Sequence, residues 1–537
     1  CHRRQERGSH AQNRKAKQPL PRVVAVAVPT RGRAMTGADT AVANISVASV
    51  DLGAESGRVT RAVFDGKGLA LDIVRRFPHE PVSRGDRIEW NLPHLWTEIS
   101  AGLAELAATQ SPASVGVDSW GVDYGLYGED GVLMENPLAY REQARIDAYE
   151  RVTQELGHDF LYQHTGSQVL PINTVFGLAA EMTVRPGLLD SASHLLMMAD
   201  VFHHKLAGTK ATEYTMASTS GMLDMRTGQW SSTILDAVGI PSQLMPEIVG
   251  PGTVLGPVKG ELATQGLSNT RVIVPAAHDT ASAVLAIPFT SPNTLFVSSG
   301  TWSLVGVVLD EPIISAQTAA DNITNEGGYG NTIRFLRNVM GLWMLQESRR
   351  QWEREGINVD YVDLVEMAAR EPKLRSLVDP SDTFFFPPGD MPSRVREYCA
   401  AVGQPIPESP AQVARTILDS LAMGYRQTIE TISAITDEAI TEIRVVGGGS
   451  KNDVLQQASA DATGLPTVCG AVEATALGNA AAQLISLGEC AGVSDAWHAI
   501  SASTAERVFE PQEHALYNDA YPEFCRLREK FVNAQAA

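Results

Sequence analysis

The chain has few cysteines and no long apolar run. Its five cysteines are scattered and form no C-x-x-C pair: Cys1, Cys399, Cys469, Cys490 and Cys525. This distribution argues against a disulfide framework and a structural zinc site, and it predicts a cytoplasmic location. No apolar run approaches the roughly 18–20 residues that span a bilayer. With a net charge of -19, the chain is not expected to bind nucleic acid or an anionic membrane.

Several catalytic signatures are also missing. The sequence contains no Walker A loop, no H-E-x-x-H zinc motif and no G-x-S-x-G nucleophile motif. The chain is therefore not expected to be a P-loop NTPase, a zinc metallopeptidase of the H-E-x-x-H type or a serine hydrolase of the G-x-S-x-G type. What is present is a chain of 537 residues with 44% hydrophobic and 20% charged residues. This size and composition indicate a well-packed globular protein of more than one domain.

The first 34 residues differ from the rest. Nine Lys/Arg against one acid give this segment a net charge of +8, which leaves -27 for the remainder of the chain. It is rich in Gln, Arg and Pro and lacks the apolar region of a secretory signal. We predict a disordered basic leader over residues 1–44. Upstream sequence read through to a natural start at Met35 would account for this leader, and a functional basic arm is the alternative.

A strand–turn–strand pattern occurs twice, at residues 45–64 and again at 293–306. When the copies are superposed in sequence, Gly53 matches Gly300 and Ser56 matches Ser303. A Pro/Ser-rich linker at 287–293 separates them. The repeat predicts two similar α/β domains around one cleft. We assign the N-terminal domain to residues 45–288, the C-terminal domain to 289–500, and a C-terminal tail to 501–537.

A single carboxylate stands between a strand and a helix in the stretch 275–287. The β-branched run 271–274 leads into His278, Asp279 and Thr280, and an Ala-rich segment suited to a helix follows. An Asp at such a position is commonly only an N-cap, which stabilises a helix by about 1 kcal/mol. The alternative role is a general base, because a helix N-terminus keeps a carboxylate ionised at neutral pH. The two roles are compatible.

Glycine turns elsewhere predict a phosphate site. Gly447–Gly449 lie between a strand and a helix, where bare backbone lets an anionic ligand approach main-chain N–H groups. The turns of the two repeats supply similar groups from opposite sides, as phosphoryl transfer requires. Asp51, at the end of the first strand, is placed to hold Mg²⁺ through water. Its alternative role is to start a turn.

An aromatic wall with polar neighbours would suit a sugar. Trp120, Gly121 and Asp123 follow one another closely after a predicted strand, and His278 adds a polar group from the later stretch. Each of these taken singly is more often structural, because a buried Trp is usually part of a core. Together with the phosphate turns, they point to transfer of a phosphoryl group to a sugar hydroxyl.

Seven segments in a fixed order carry a family resemblance. They are D-L-G-A-E-S-G-R (51–58), G-V-D-S-W-G-V-D (116–123), A-H-D-T-A-S-A-V (277–284), S-S-G-T-W-S-L-V-G (298–306), the long segment 325–347, V-V-G-G-G-S-K-N-D and E-A-T-A-L-G-N. From about residue 45 to 484 the chain resembles the FGGY carbohydrate kinases. The resemblance implies two ribonuclease-H-like (actin-like ATPase) α/β domains that flank a catalytic cleft.

The resemblance also implies a reaction. The segment 325–347 is the most specific, and it implies phosphorylation of L-rhamnulose at its C1 hydroxyl by ATP with Mg²⁺, without a nucleic-acid or membrane partner. A kinase for L-fuculose or xylulose is the first alternative. An actin-like ATPase without a sugar substrate is the second, but it leaves the A-H-D-T and W-G-V-D segments unexplained.

Roles for individual positions follow from the resemblance alone. Asp279 would accept the hydroxyl proton. The implied sugar-binding residues are Gly121, His278, Asp279, Thr280 and Asn338. The implied ATP-binding residues are Ala54, Glu55, Ser56, Gly57, Arg58, Thr301, Gln346 and one glycine of the triple-glycine turn, for which we choose Gly448.

The sequence departs from the family pattern in two places. Glu55 stands where a Ser is common in the first phosphate turn. A carboxylate beside phosphates would repel them, so we expect its side chain to point away or to reach solvent. The segment Tyr140–Arg145 also differs from the commoner Y-R-D form, which leaves its sugar contact open.

Overall fold

The computed structural model describes residues 44–536, so the predicted basic leader lies outside the described residues apart from Asn44. The first half of the described chain runs to the linker predicted at 287–293. Its strands are β1 (Ile45–Leu52), β2 (Ser56–Phe64), β3 (Leu69–Pro78), β4 (Val82–Arg84), β5 (Arg87–Glu89), β6 (Ser114–Ser119), β7 (Tyr124–Tyr127), β8 (His194–Met197), β9 (Ala211–Glu213), β10 (Leu223–Asp224), β11 (Gln229–Trp230), β12 (Glu247–Val249), β13 (Val254–Pro257) and β14 (Arg271–Ile273). Its helices are α1 (Leu92–Thr109), α2 (Gln143–Leu156), α3 (His158–Thr165), α4 (Thr174–Val184), α5 (Leu188–Ser191), α6 (Met198–Ala207), α7 (Tyr214–Ala217), α8 (Ser232–Val238), α9 (Gly260–Leu262) and α10 (Asp279–Leu285).

The central sheet of this half has six strands in the order β13-β14-β6-β1-β2-β3. β1 is antiparallel to β2 and parallel to β6, and β6 is parallel to β14. β1 is buried along almost its whole length because its near-continuous run of small and apolar residues is covered on both faces. α1 packs on one face through Leu92, Leu95, Ile99, Leu103 and Leu106, which recur at helical spacing.

The second half repeats this plan. Its strands are β15 (Thr294–Ser299), β16 (Ser303–Leu309), β17 (Thr324–Gly327), β18 (Ile333–Val339), β19 (Glu442–Val446), β20 (Thr467–Cys469) and β21 (Arg507–Phe509). Its helices are α11 (Ala316–Ala320), α12 (Trp343–Arg354), α13 (Tyr361–Ala369), α14 (Met391–Ala401), α15 (Pro410–Thr436), α16 (Asp453–Thr463), α17 (Ala474–Leu487), α18 (Val493–Ser503), α19 (His514–Phe524) and α20 (Leu527–Ala536).

The two sheets share a topology. The second sheet runs β17-β18-β16-β15-β19-β20-β21, and its inner strands β18-β16-β15-β19-β20 match β3-β2-β1-β6-β14 in order and in direction. The sequence match is confirmed by the strand starts, because β2 begins at Ser56 and β16 at Ser303. Each half is therefore a ribonuclease-H-like unit with strand order 3-2-1-4-5, and the predicted fold class is confirmed.

Helices α10 and α17 join the halves by direct contact. A Cβ at Gly478 in α17 would overlap the backbone carbonyl of Ser282 in α10, so only glycine permits this approach. α17 also lies on the sheet of the first half, where the Gln483 side-chain amide donates to the Ala48 carbonyl at 3.0 Å. One face of the first sheet, at β1 and β6, is therefore covered by an element of the second half that lies beside α10.

The segment predicted as a C-terminal tail is folded onto the second half as far as the structure describes it. β21 pairs with β20 as an edge strand of the sheet. Tyr517 of α19 and Phe531 of α20 are buried, and the Tyr517 hydroxyl donates to Asp419 at 2.7 Å. Apolar residues of these helices therefore contribute to the core of the second half. No described helix combines the length and the apolar character needed to cross a membrane.

Candidate active site

A cavity of about 990 Å³ lies between the two halves. All but one of the residues predicted to bind substrate, ATP or metal line it: Asp51, Ala54, Glu55, Ser56, Arg58, Gly121, His278, Asp279, Thr280, Thr301, Asn338, Gln346 and Gly448. The exception is Gly57, which lies on β2 behind the turn. A Cβ at Gly57 would overlap the ring of Phe77, so this glycine is required for packing rather than for contact with the cavity.

Asp279 is the first residue of α10, and His278 occupies the N-cap position. The prediction that Asp279 is the N-cap is therefore wrong by one residue. Its Oδ1 accepts the backbone N–H of Thr280 and, at 3.2 Å, the Thr280 hydroxyl, and it lies 3.4 Å from His278 Nε2. The carboxylate keeps 27% of its side-chain surface exposed, on the side of the cavity.

Burial raises the pKa of Asp279 above its ordinary value, while His278 and the N–H and hydroxyl groups of Thr280 oppose the rise. The sequence argument predicted that the helix N-terminus keeps this carboxylate ionised at neutral pH, and a raised pKa does not contradict that prediction. Removal from water outweighs the contacts that oppose the rise, because desolvation disfavours the charged form of a carboxylate. A raised pKa makes this carboxylate a stronger proton acceptor.

A charged cluster lies beside Asp279 at the ends of β1 and β6. Asp51 and Asp118 are neighbours in the parallel register of these strands, and Arg58 faces Asp51 across the β1–β2 pair. Arg58 Nε lies 3.1 Å from Asp51 Oδ2, and its other end pairs with Glu473, which precedes α17. Burial raises the pKa of Asp51 to about 6, against the opposing charge of Arg58. Burial likewise raises the pKa of Asp118 well above its usual value.

This cluster fits a hydrated divalent cation. Asp118 Oδ1 is a buried oxygen without a hydrogen-bond partner within residues 44–536, and Asp51 Oδ2 has the ion-pair contact with Arg58 but no hydrogen bond of good geometry there, so both have lone pairs to offer. Among those residues no group of three or more His, Cys, Asp or Glu side chains could hold a metal. Mg²⁺ needs no such group, because it keeps most of its waters and takes one or two carboxylates.

The first glycine turn connects β1 to β2 at the cavity wall. Its backbone is closed by a hydrogen bond from Gly53 N to the Ser56 carbonyl at 3.1 Å. Glu55 is 38% exposed in its side chain and pairs with Arg350 of α12, across the cleft. The expectation that Glu55 reaches solvent therefore holds in part, and its charge is additionally balanced by a cation of the opposite half.

The second turn and the triple-glycine turn meet on the other side. Gly300 N donates to the Trp302 carbonyl at 2.8 Å, which leaves Thr301 at the cavity. Gly447 adopts φ +86°, and a Cβ at Gly447 or Gly449 would collide with Ser299. A Cβ at Gly448 would meet nothing within 4 Å. Gly448 is thus the member of the three that combines open space with a place in the cavity wall.

At the other end of the cavity, Trp120, Gly121 and Val122 form part of the wall. Val122 has φ +67°, a strained conformation for a β-branched residue, and its N–H donates to the Thr219 hydroxyl at 3.0 Å. A Cβ at Gly121 would lie 2.9 Å from Thr219 Cγ2, so the close approach of these loops needs glycine. The strain holds the backbone of this wall in one position.

Asp123 does not face the cavity. It is fully buried, pairs with Arg145 at 2.9 Å, and accepts hydrogen bonds from the indole N–H groups of Trp90 and Trp120. The prediction that Asp123 offers a polar group to a sugar is therefore wrong, because its acceptors are taken by the core. Its effect is to fix the ring of Trp120, which does line the cavity.

Residues of the segment 140–145 lie in two places, the cavity wall and the contact between the two halves. Tyr140 lines the cavity, whereas the Arg141 guanidinium lies 3.7 Å from the ring centroid of Trp343 and donates to the Phe386 carbonyl at 2.8 Å. Trp343 and Phe386 belong to the second half. Arg141 is therefore a cation held in an aromatic site of the other half, next to the second glycine turn.

The sequence analysis missed two residues at the sugar end, Glu326 of the second half and Gln168 of the first. Glu326 of β17 lines the cavity, and Gln168 accepts two hydrogen bonds from Asn338, at 3.0 Å from its N–H and at 2.9 Å from its side-chain amide. Asn338 also approaches Glu326 at 3.4 Å. Glu326 lies inside the segment 325–347 that carried the family resemblance, so the motif signalled it without indicating a role.

Family models match both halves: the N-terminal domain of the FGGY family of carbohydrate kinases over residues 46–286, and the C-terminal domain over 295–487. The chain is 39% identical to rhamnulokinase of Bacteroides thetaiotaomicron, with 89% of this chain and 98% of the relative covered. It is 38% identical to rhamnulokinase of Pectobacterium atrosepticum, with 90% and 97% covered. The xylulose kinase structure from Lactobacillus acidophilus has a TM-score of 0.75 at 17% identity and covers 91% of this chain and 98% of its own. The chain belongs to the FGGY family of carbohydrate kinases.

Proposed function

We propose that this kinase transfers the γ-phosphoryl group of ATP to the C1 hydroxyl of L-rhamnulose, giving L-rhamnulose 1-phosphate and ADP in the breakdown of L-rhamnose. The observation that carries the proposal is the position of Asp279, which has a raised pKa and keeps 27% of its side chain exposed toward the cavity. The glycine turns line one side of this cavity, and the wall that contains Trp120 and Gly121 lines the other. The two curated relatives at 38–39% identity over nearly their whole length support the choice of sugar.

Each domain has a distinct task in this proposal. Residues 45–288 bind the sugar and supply the base, and the C-terminal domain, which starts at 289, binds ATP. The apolar end of the cavity supports placing the nucleobase between α13 and α16, where Val365, Ala369 and Val454 line the wall. Val362 is 61% exposed at the same place, and an adenine ring would cover it.

The phosphates then lie between the glycine turns. Main-chain N–H groups of Ala54–Ser56 and of Thr301, with the backbone at Gly448, reach them from opposite sides. Gln346 also lines this space, and its buried side-chain oxygen has no hydrogen-bond partner within residues 44–536. Arg58 carries positive charge next to the transferred group while it holds Asp51 in place.

Proton transfer is the task of Asp279. The C1 hydroxyl gives its proton to the carboxylate as its oxygen bonds to the γ-phosphorus, and the bond from that phosphorus to the β–γ bridging oxygen breaks. Gly121, His278, Thr280 and Asn338 orient the sugar so that C1 faces the phosphate. Mg²⁺, held through water by Asp51 with Asp118 behind it, would neutralise phosphate charge in the transition state.

A coupled ADP-release assay with L-rhamnulose, L-fuculose and xylulose tests the proposal. We expect the highest kcat/KM for L-rhamnulose and little ADP release without sugar. The product gives a second readout, because C1 carries the only primary hydroxyl of L-rhamnulose. Its ³¹P signal should be coupled to the two protons of a CH₂ group. A higher kcat/KM for another ketose would refute the choice of sugar, and rapid ADP release without sugar would refute kinase activity.

A further inference from the structure

A buried group of three side chains connects the second half to the catalytic base. Arg334 of β18 is fully buried, and Glu326 of β17 and His278 are almost so. Arg334 Nη1 lies 3.1 Å from Glu326 Oε2, and Arg334 Nη2 lies 3.0 Å from His278 Nδ1. His278 Nε2 in turn lies 3.4 Å from Asp279 Oδ1. The group runs in order from Glu326 through Arg334 and His278 to Asp279.

Arg334 decides where the imidazole proton sits. A guanidinium nitrogen can only donate, so the contact from Nη2 makes His278 Nδ1 an acceptor and places the ring proton on Nε2. Glu326 Oε2 also lies 3.4 Å from Nδ1, and an Nδ1–H could donate to it. The Arg334 contact is shorter and has hydrogen-bond geometry, whereas the Glu326 contact lacks it, so the Nε2 tautomer prevails.

The tautomer strengthens a difference between the two carboxylate oxygens of Asp279. Oδ1 already accepts the Thr280 N–H and hydroxyl, and the His278 Nε2–H faces the same oxygen. In the described part of the chain, no group donates to Oδ2. A proton on Nε2 therefore adds to the charge stabilisation at Oδ1 and leaves Oδ2 free for the sugar hydroxyl. A proton on Nδ1 would instead turn a lone pair of Nε2 toward Oδ1 and repel it.

We propose that Arg334, anchored by Glu326, is a positioning residue that fixes His278 with its proton on Nε2 and so presents Asp279 Oδ2 as the basic oxygen. The inference rests on the proposed kinase function for its rate readouts. It assigns a role to two residues of the C-terminal domain in a step carried out by the N-terminal domain. The base is complete only when β17 and β18 are docked against α10.

The tautomer itself can be measured without substrate. In protein labelled with ¹⁵N-histidine, we expect the His278 resonances, assigned by their loss in His278→Gln, to be those of a neutral ring with the proton on Nε2. In Arg334→Met they should shift toward the average of interconverting tautomers. A wild-type ring protonated on Nδ1 would overturn the proposal. This readout also stands if the enzyme does not phosphorylate L-rhamnulose, which would refute the proposed function alone.

Kinetics give the second test. Arg334→Met should lower kcat by about 10- to 100-fold with little change in the KM for ATP, because a misoriented base slows the chemical step. Arg334→Lys should recover part of the loss, since one ammonium group cannot contact Glu326 and His278 in the same fork geometry. Glu326→Gln tests the anchor with little change in shape and should lower kcat in the same direction.

The matched control is Arg337→Met in the same strand. The Arg337 guanidinium donates to the Asp321 carbonyl, away from the cavity, so its loss should leave kcat within a few-fold of wild type. Thermal unfolding of all variants separates folding from chemistry. If Arg334→Met does not fold, the Glu326→Gln kinetics and the wild-type tautomer decide. A folded Arg334→Met or Glu326→Gln enzyme with wild-type kcat would contradict the proposal.

Discussion

The glycine turns of the two repeats have the same backbone connection, but charged side chains hold the first and neutral groups hold the second. At the positions equivalent to Asp51 and Arg58 of the first repeat, the second repeat has Ser298 and Val305. The first turn is held by ion pairs, from Arg58 to Asp51 and Glu473. The second is held by neutral hydrogen bonds, such as those from the Leu342 and Trp343 N–H groups to the carbonyls of Gly300 and Thr301.

The same contrast extends to the neighbouring strand. Asp118 of β6 lies beside Asp51, and the corresponding position in the second half is Val446 of β19, beside Ser298. In the proposed mechanism, the two copies of the fold have different tasks. The first half has the carboxylates that would take the proton and hold the metal, and the second would supply neutral donors and apolar surface for the nucleotide. Substitutions at equivalent positions of the two halves can test this division.

The largest effect is expected at the base. Asp279→Asn should lower turnover by about 10²- to 10⁴-fold, because Asn cannot accept the hydroxyl proton. Stability should change little, since Asn can keep the acceptor oxygen that faces the Thr280 N–H. The coupled assay and a thermal unfolding curve measure the two quantities on the same preparation. Near-normal turnover, or an unfolded variant, would remove Asp279 from the role of base.

The second-largest loss of activity is expected at Asp51, the carboxylate proposed to hold Mg²⁺. Asp51→Asn should lower kcat/KM by about 10²- to 10³-fold and raise the Mg²⁺ concentration needed for half-maximal rate. Ser298→Ala, at the equivalent position of the second repeat, should cost no more than a few-fold. Titration of activity with Mg²⁺ compares the two variants directly. Equal losses at both positions would mean that the two turns share the charge-handling role.

The raised pKa of Asp279 predicts the acid limb of the pH profile. The ionised carboxylate is the active form, so kcat/KM should fall about tenfold per pH unit below the pKa. Because burial raises that pKa, the fall should begin at a higher pH than an ordinary Asp would give. The residual activity of Asp279→Asn serves as control: it should lose the contribution of Asp279 to this limb and keep that of Asp51, whose pKa burial raises to about 6. A wild-type limb at the ordinary Asp value would contradict the raised pKa.

A medium effect should distinguish the glycines of the triple-glycine turn. Gly448→Ala should fold normally and raise the KM for ATP by roughly tenfold, because the new methyl group meets only the cavity. Gly449→Ala should instead destabilise the protein by about 1–3 kcal/mol through overlap with Ser299. Steady-state kinetics give the KM for ATP, and urea unfolding gives the free energy of unfolding. An unchanged KM in Gly448→Ala would move the ATP contact to another residue.

The smallest effect is expected when Glu55, a charged residue of the first turn, is replaced by a neutral residue, because the second turn is held by neutral groups. Glu55→Gln removes a carboxylate beside the phosphates and frees Arg350, so the KM for ATP should fall by a few-fold at most. The pair is half-exposed, and such pairs contribute about 0.2–1 kcal/mol. Arg350→Gln is the matched partner variant and should raise that KM. A rise in both variants would show that the pair is needed to shape the turn.

Much of the site could be predicted because it depends on short segments. The repeat match of Gly53 with Gly300 located both turns, and the strand–Asp–helix pattern located Asp279. The errors arose where a side chain had two possible surroundings. Asp123 follows Trp120 closely in sequence, but Arg145 and Trp90 occupy its oxygens, and nothing in the spacing indicates them. The segment 501–537 lies beyond the family resemblance, which ends near residue 484, so the motifs do not predict its packing on the second half.

By itself, the sequence determined the fold class and the two turns, since strand periodicity, glycine turns and motif order are local properties, and its motifs led to the proposal that Asp279 is the base. Only the tertiary structure decided which charges meet. Glu55 and Arg350 are 295 residues apart in the chain, and His278 and Arg334 are 56 apart. Electrostatic and hydrogen-bond energies depend on distance in space. That distance is set by the packing of α17 and of the β17–β18 pair against the first half, which no local pattern records.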